Sequence, residues 1–327
     1  MINFNSKQIK MWESIGIRAT FGKLLYEICE KKKNIFVITG DVSTSAGLDR
    51  FKKKFKSNYI DVGIAEQNMI GVAAGLSATN KKIFTTTFSP FQTLRCCEQI
   101  KVNLSYMKSN VCMVGLASGI SLGTLGYTHC SIEDIGVLRS MPNITIISPS
   151  DTTELAKSIL QIIKHDKPVY LRLTGNNKVP IVNKKNYKFK IGKGIQLVKG
   201  RKIAIISNGT IINECISSIN VLNKKKIYPS LYNFHTIKPI DEGLILKISK
   251  NYDFIFTVEE HNVIGGLGSS ISEVLSKISL KIKLIKMGII DQYTSCGNRE
   301  HMLKANKIDK ESIVKNILKN VQFKQIR

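Results

Sequence analysis

Helical and extended patterns alternate along the whole chain, and that alternation predicts an α/β protein built on largely parallel sheets. Two further observations support it. The extended runs, such as Ile35-Phe36-Val37-Ile38-Thr39 and Ile203-Ala204-Ile205-Ile206, are continuously apolar, as strands buried on both faces are. The 327 residues are enough for two units, each with its own core.

The elements follow in order. A helix over 20–30 leads to a strand over 35–39, then to a short strand over 58–62 that ends at Gly63. An apolar, Gly/Ala-rich helix is expected over 69–78, a strand over 83–87, a helix over 91–107 and a strand over 111–115. A Gly-rich loop spans 118–128, and 143–149 reads as a buried strand. Ser150 or Asp151 caps a helix over 153–164, and a strand over 168–173 closes the first unit, residues 1–175. Residues 176–200, rich in Lys and Asn, read as a linker with short β pieces near 188–191. The second unit, 201–327, begins with a strand over 202–207 and a helix to about residue 223. Strands over 230–233, 253–258 and 281–285 follow, with a helix opening at Gly265-Gly266-Leu267-Gly268-Ser269 and a basic amphipathic tail from Lys310.

Composition narrows the function. The net charge of +25 is carried by solvated Lys runs with few interleaved aromatics, so it does not read as a nucleic-acid surface; it suits attraction of anionic substrates. No apolar stretch reaches membrane-span length and the N-terminus lacks a secretory pattern. The seven Cys form no metal-binding spacing, so reduced thiols and a cytoplasmic location are expected.

One residue stands out by local physics. Glu66, in Asp61-Val62-Gly63-Ile64-Ala65-Glu66-Gln67-Asn68, sits where an extended segment meets an apolar helix. A carboxylate there is costly unless it caps the helix or faces a charged or proton-exchanging partner.

Several motifs in order resemble the C-terminal half of transketolase, most closely the separate C-terminal subunit of split transketolases. They are Gly63-Ile64-Ala65-Glu66-Gln67-Asn68, Thr87-Phe88-Ser89-Pro90-Phe91, Gly126-Tyr127-Thr128-His129, Met141-Pro142-Asn143, Ser148-Pro149-Ser150-Asp151, Pro168-Val169-Tyr170-Leu171-Arg172, Ile237-Lys238-Pro239-Ile240-Asp241 and Glu259-Glu260-His261-Asn262 with the glycines that follow. The resemblance implies a pyrimidine-binding domain followed by a transketolase C-terminal domain, with thiamine diphosphate and Mg²⁺ as cofactors. It implies that Glu66 bonds the N1′ nitrogen of the aminopyrimidine and shares its proton, and that Phe88 and Phe91 wall the ring, with Leu94 where many relatives have a third aromatic. Arg18, Ser45 and Arg172 fall at phosphate-binding positions, and His129 at a position contacting substrate oxygen. Leu125 and Ala117 replace a family Asp and His, which points to a specialised donor or acceptor, such as a deoxy or nucleotide-linked keto sugar.

The GDG motif through which the family holds metal and diphosphate is missing: Gly40-Asp41-Val42 is not that motif. No metal ligand is therefore assigned to this chain. The resemblance then implies an N-terminal partner subunit carrying the diphosphate and Mg²⁺ ligands, in an α2β2 heterotetramer. The glycines near Gly265 read as close helix–strand packing rather than a phosphate cradle. Two other readings stay open: a pyruvate-using relative (deoxyxylulose-phosphate synthase or a 2-oxo acid dehydrogenase β chain), and a non-catalytic binding subunit of the same fold.

Overall fold

The computed structural model describes residues 2–175, 178–183, 187–279 and 282–325. Twelve strands form two sheets. In chain order they are β1 (Ile35–Thr39), β2 (Tyr59–Asp61), β3 (Lys82–Phe88), β4 (Val111–Ser118), β5 (Thr145–Ile147), β6 (Val169–Thr174), β7 (Ile195–Val198), β8 (Ile203–Ser207), β9 (Ser230–Asn233), β10 (Thr236–Lys238), β11 (Phe254–Asn262) and β12 (Lys283–Ile289). The first sheet runs β10-β5-β6-β4-β3-β1-β2 and the second β12-β11-β8-β9-β7. All pairings are parallel except β10 with β5 and β7 with β9.

Alternation along the central strands explains their continuous apolarity. Cys112, Val114 and Leu116 of β4 enter a core on one face with Trp12, Phe21 and Phe84. Val111 and Met113 enter a second core on the other face with Met69, Ile70 and Ile83. A side-chain period of two with helices over both faces leaves no solvated side. The chain passes from β1 outward to β2 and then returns to the other side of β1 for β3. That reversal leaves a crevice at the carboxyl ends of β1 and β3, where open α/β sheets bind ligands.

Several elements depart from expectation. The first helix runs Ser6–Cys29, and Asn5 caps it by accepting from the Gln8 N–H at 2.8 Å. Gly16, at φ 79, breaks it into two pieces. The helix expected over 91–107 is instead a short turn, Ser89–Thr93, then Cys97–Gln99 and a π-helical run, Ile100–Tyr106. Thr93 Oγ1 and Cys96 Sγ both donate to carbonyls of the preceding turn, which loosens the regular ladder.

Within the expected linker the strand lies at 195–198, not near 188–191. Residues 176, 177, 184–186 and 281, inside the expected linker and last strand, fall outside the described residues. β10, from the second half of the chain, completes the first sheet, so the two units share a sheet edge as well as side-chain contacts. Among those contacts, Asn233 Nδ2 donates to Glu154 at 2.9 and 3.0 Å, and Thr210 to Thr174 at 3.0 Å. Among the described residues no helix is long and apolar enough to cross a membrane.

Candidate active site

The crevice gathers side chains from four consecutive strand ends. After β2 the chain turns at Gly63, whose φ of 70 favours glycine, and starts the helix Glu66–Ser77. Glu66 is 3 % exposed. Glu66 is the first helical residue, where a carboxylate suits the helix dipole, and the N-cap Ala65 makes no side-chain capping bond. Gly40, after β1, lies so close that a Cβ there would sit 3.2 Å from Glu66 Cγ. A side chain at 40 would press on the stem of Glu66.

Arg95 holds that carboxylate. Its Nη1 donates to Glu66 Oε2 at 2.8 Å, while Cζ lies 4.1 Å from the centroid of the Phe91 ring. Sequence reasoning missed Arg95. The signal was present, because Arg95 stands four residues after Phe91 and such pairs share a helical face.

Phe88 ends β3 and Phe91 follows on the next turn. Their rings meet edge-to-face at 6.4 Å, and His129 packs edge-on against both, at 6.3 Å from Phe88 and 5.3 Å from Phe91. His129 Nδ1 also meets Thr128 Oγ1 at 3.0 Å. Glu66, Arg95, Phe91, Phe88 and His129 thus form one connected group: a buried carboxylate linked by Arg95 to an aromatic cluster.

Arg18 and Ser45 lie beside each other's backbone segments. The loop carrying Ala46 and Gly47 presses on the first helix so tightly that a Cβ at Gly22 would overlap the Gly47 carbonyl. Arg18 follows the Gly16 break and is partly buried, which pushes its pKa below the ordinary value. Among the described residues neither side chain has a hydrogen bond to protein.

Arg172 requires a correction. Expected at the substrate phosphate, it is 1 % exposed and committed to protein partners. Nε donates to Asp134 Oδ2 at 2.8 Å, and Nη2 to the carbonyls of Ser131 at 3.2 Å and Glu260 at 2.9 Å. Asp134, fully buried, also accepts from Tyr170 at 2.6 Å and Ser89 at 3.2 Å. Burial pushes this carboxyl up, but Arg172, His261 and the hydrogen bonds outweigh it and hold it below the ordinary value. A strand-end arginine was legible as an anion ligand; that β6 runs through the interior was not.

Ala117 is 2 % exposed, at φ 51, where the β4–β6 register shifts. Leu125 is 55 % exposed on the turn Gly123–Leu125.

The glycine motif near Gly265 is filled from within the chain. Glu259 accepts from the N–H groups of Leu267 at 2.6 Å and Gly268 at 2.9 Å, so a carboxylate occupies the helix N-terminus where a phosphate could have sat. A Cβ at Gly266 would overlap Glu259 Oε2. Burial pushes Glu259 up to about 7, and burial lowers His261 to about 4. Among the described residues no three His, Cys, Asp or Glu side chains are disposed to hold a metal.

Two tandem α/β units, with a buried carboxylate and an aromatic cluster at the first sheet's switch point, define a two-domain α/β protein with a ligand-type crevice. Residues 13–178 match the transketolase pyrimidine-binding domain and residues 192–313 the transketolase C-terminal domain. The chain is 34 % identical to a 6-deoxy-6-sulfo-D-fructose transketolase subunit of a Clostridium species, covering 89 % of each. It is 33 % identical to an apulose-4-phosphate transketolase subunit of Phocaeicola vulgatus, over 94 % of this chain and 98 % of that one. A solved split-gene transketolase, described as an inactive beta4 tetramer, superposes with a TM-score of 0.83 at 30 % identity, covering 94 % and 98 % of the two chains. The chain belongs to the transketolase family, whose members are thiamine-diphosphate-dependent transferases.

Proposed function

We propose that this chain is the C-terminal subunit of a two-polypeptide transketolase-type enzyme, moving a two-carbon ketol unit from a ketose phosphate donor to an aldehyde or keto-sugar acceptor. The observation that carries this reading is the buried Glu66 carboxylate joined through Arg95 to the ring of Phe91, which meets Phe88 edge-to-face.

The residues present fit the aminopyrimidine half of thiamine diphosphate. A carboxylate with a side-chain-free glycine beside it can accept a ring N–H, and Phe91 offers a face that the planar Arg95 guanidinium already uses. When bound, the cofactor supplies the carbon nucleophile that cleaves the donor. Glu66 would hold a proton at the pyrimidine N1′, Phe88 and Phe91 would orient the ring, and His129 would bond substrate oxygen. Arg95 bonds Glu66 and stacks on Phe91, the two contacts the ring would need, so it must move aside or share the carboxylate. Arg18 and Ser45 remain the candidates for the substrate's anionic end; Arg172 does not.

The diphosphate and Mg²⁺ ligands would come from an N-terminal partner, since the sequence holds no GDG motif. An α2β2 assembly in the cytoplasm follows from that division of labour. Its docking face would include Ile64, Tyr106 and Met107, which are 77, 82 and 62 % exposed beside the helix that starts at Glu66. Relatives named for 6-deoxy-6-sulfo-D-fructose and for apulose 4-phosphate support a specialised substrate, in keeping with an exposed Leu125 where the family has Asp.

The test is reconstitution with the companion subunit. Glu66→Gln should lower kcat roughly 10²–10⁴-fold while leaving assembly intact. Full activity of that variant would instead favour a non-catalytic subunit, and turnover of pyruvate in place of ketose phosphates would favour the deoxyxylulose-phosphate synthase class.

A further inference from the structure

The loop that carries His129 leaves β4 of the first unit, yet its apolar side chains are buried in the core of the second. Ile120, Cys130 and Ile132 pack with Ile203, Ile211, Met302 and Leu303, and Tyr127 lies against the same cluster. Cys130 is the residue next to His129. At its base the loop is closed by two backbone bonds between Gly119 and Ser131, of 3.0 and 2.9 Å.

The polar contacts follow the same division. Ile120 N–H donates to Glu260 Oε1 at 3.1 Å, and Arg299 holds the other oxygen of that 2 % exposed carboxylate at 2.6 Å. Further along, Gly297 N–H donates to the Gly123 carbonyl at 3.2 Å. The Tyr127 hydroxyl accepts from Thr294 N–H at 3.1 Å and meets Thr294 Oγ1 at 2.8 Å, while its ring lies 4.7 Å from that of Tyr293. At Gly123 the loop packs directly against the second unit. A Cβ there would overlap Met302 Cγ and lie 2.6 Å from the Gly297 carbonyl oxygen.

We infer that the second domain is the positioning platform of the active site: Glu260, Arg299 and the segment 293–302 fix the loop that sets His129 against Phe88 and Phe91. The first domain supplies the cofactor-facing carboxylate and aromatic wall. The second, which contributes no side chain to that group, determines where the substrate-facing imidazole stands. Tyr127, Thr294 and Glu260 are positioning residues, acting through the loop rather than on substrate. The inference rests on the proposed role of His129 only for its catalytic consequence, not for the geometry.

Gly123→Ala separates the two. Gly123 has no positive φ, so alanine is compatible with the backbone and the change acts as a wedge between loop and platform. In the isolated chain the imidazole signals of the five histidines are read by NMR, with His129 assigned through its loss in His129→Gln. The rings of Phe88 and Phe91 displace the His129 signal from its random-coil position. In Gly123→Ala that displacement should collapse, while His165, which bonds Thr145 in the first unit, keeps its signal. Tyr127→Phe, which loses only the bonds to Thr294, should shift it in the same direction by less, and serves if the alanine variant does not fold. An unchanged His129 signal in a folded variant overturns the inference, and so does a shift shared equally by His165. In the reconstituted enzyme the same variant should raise the donor KM roughly ten-fold with little change in kcat. A moved signal with an unchanged KM would leave the platform standing and remove His129 from the substrate contacts.

Discussion

Arg172→Ala distinguishes a buried structural pair from a substrate ligand. The substitution removes the 2.8 Å bond to Asp134 and the bonds to the Ser131 and Glu260 carbonyls, all within a site 0–1 % exposed. Tyr170 and Ser89 still donate to Asp134, but its compensating charge is gone. Truncating one member of a buried pair costs about 3–5 kcal/mol, most of it from the charge left behind. For a slope of about 2–3 kcal/mol per molar urea, the unfolding midpoint should fall by roughly 1–2 M.

The loss should also depend on pH. In the native protein Asp134 is held below its ordinary value of 3.8, so its stabilisation is present above that value and disappears as pH falls through the depressed one. Without Arg172, burial dominates and the protonated form is favoured. The penalty should therefore be largest near pH 7 and shrink towards pH 4. The assay is urea unfolding at both values, followed by tryptophan fluorescence, since Trp12 lies in the same unit's core. An unchanged midpoint, together with a raised KM for phosphorylated donors alone, would refute the buried-pair account and restore Arg172 as an anion ligand.

Two further perturbations probe the second unit. His261, lowered to about 4, stays neutral when folded while its unfolded counterpart charges below about 6.5, so its contribution weakens as pH falls through that window. Glu259, raised to about 7 from 4.5, acts oppositely, favouring the folded state less as pH rises from 4.5 to 7. The slopes, each up to about 1.4 kcal/mol per pH unit, cancel over much of their shared range. His261→Gln should unmask the Glu259 slope as stability falling from pH 4.5 to 7 in calorimetry, and a flat profile would contradict the assignment. Gly266→Ala, whose Cβ would overlap Glu259 and lie 2.7 Å from His261 Nδ1, should cost about 1–3 kcal/mol. Gly71→Ala in the isolated chain, with open space around its Cβ, should be neutral or stabilise by up to about 1 kcal/mol; equal effects of the two would show that packing at Gly266 is not the constraint.

What the sequence conveyed, and what it did not, has a physical basis. Strands such as Ile35–Thr39 and Ile203–Ser207 were legible because burial on both faces forces continuous apolarity. β10 was not: three residues cannot show a period, and its pairing with β5 spans about ninety positions of chain. The helical turns from Ser6 to the Gly16 break were not read, and the π-helical run was hidden because the side chains of Thr93 and Cys96 act on the backbone rather than on the apolar pattern.

At the site, the same limit separates Glu66 from Arg172. Glu66 stands at a strand-to-helix junction that the local pattern shows, so its setting was legible, whereas its place at the switch point appears only in the strand order of the sheet. The partners of Arg172 are Ser131 and Asp134, from the segment that opens the helix Asp134–Ser140, and Glu260, from β11 of the second unit, and nothing local to Pro168-Val169-Tyr170-Leu171-Arg172 encodes them. Both surprises, the interior Arg172 and the loop seated on Glu260, converge on the Glu260 residue: its carbonyl accepts from Arg172 and its carboxylate holds the Ile120 N–H. One residue of the second domain thus braces a central strand and the His129 loop of the first. In the motif Glu259-Glu260-His261, Glu260 therefore holds the two units in register while Glu259 fills its own helix N-terminus, and both carboxylates are engaged in architecture.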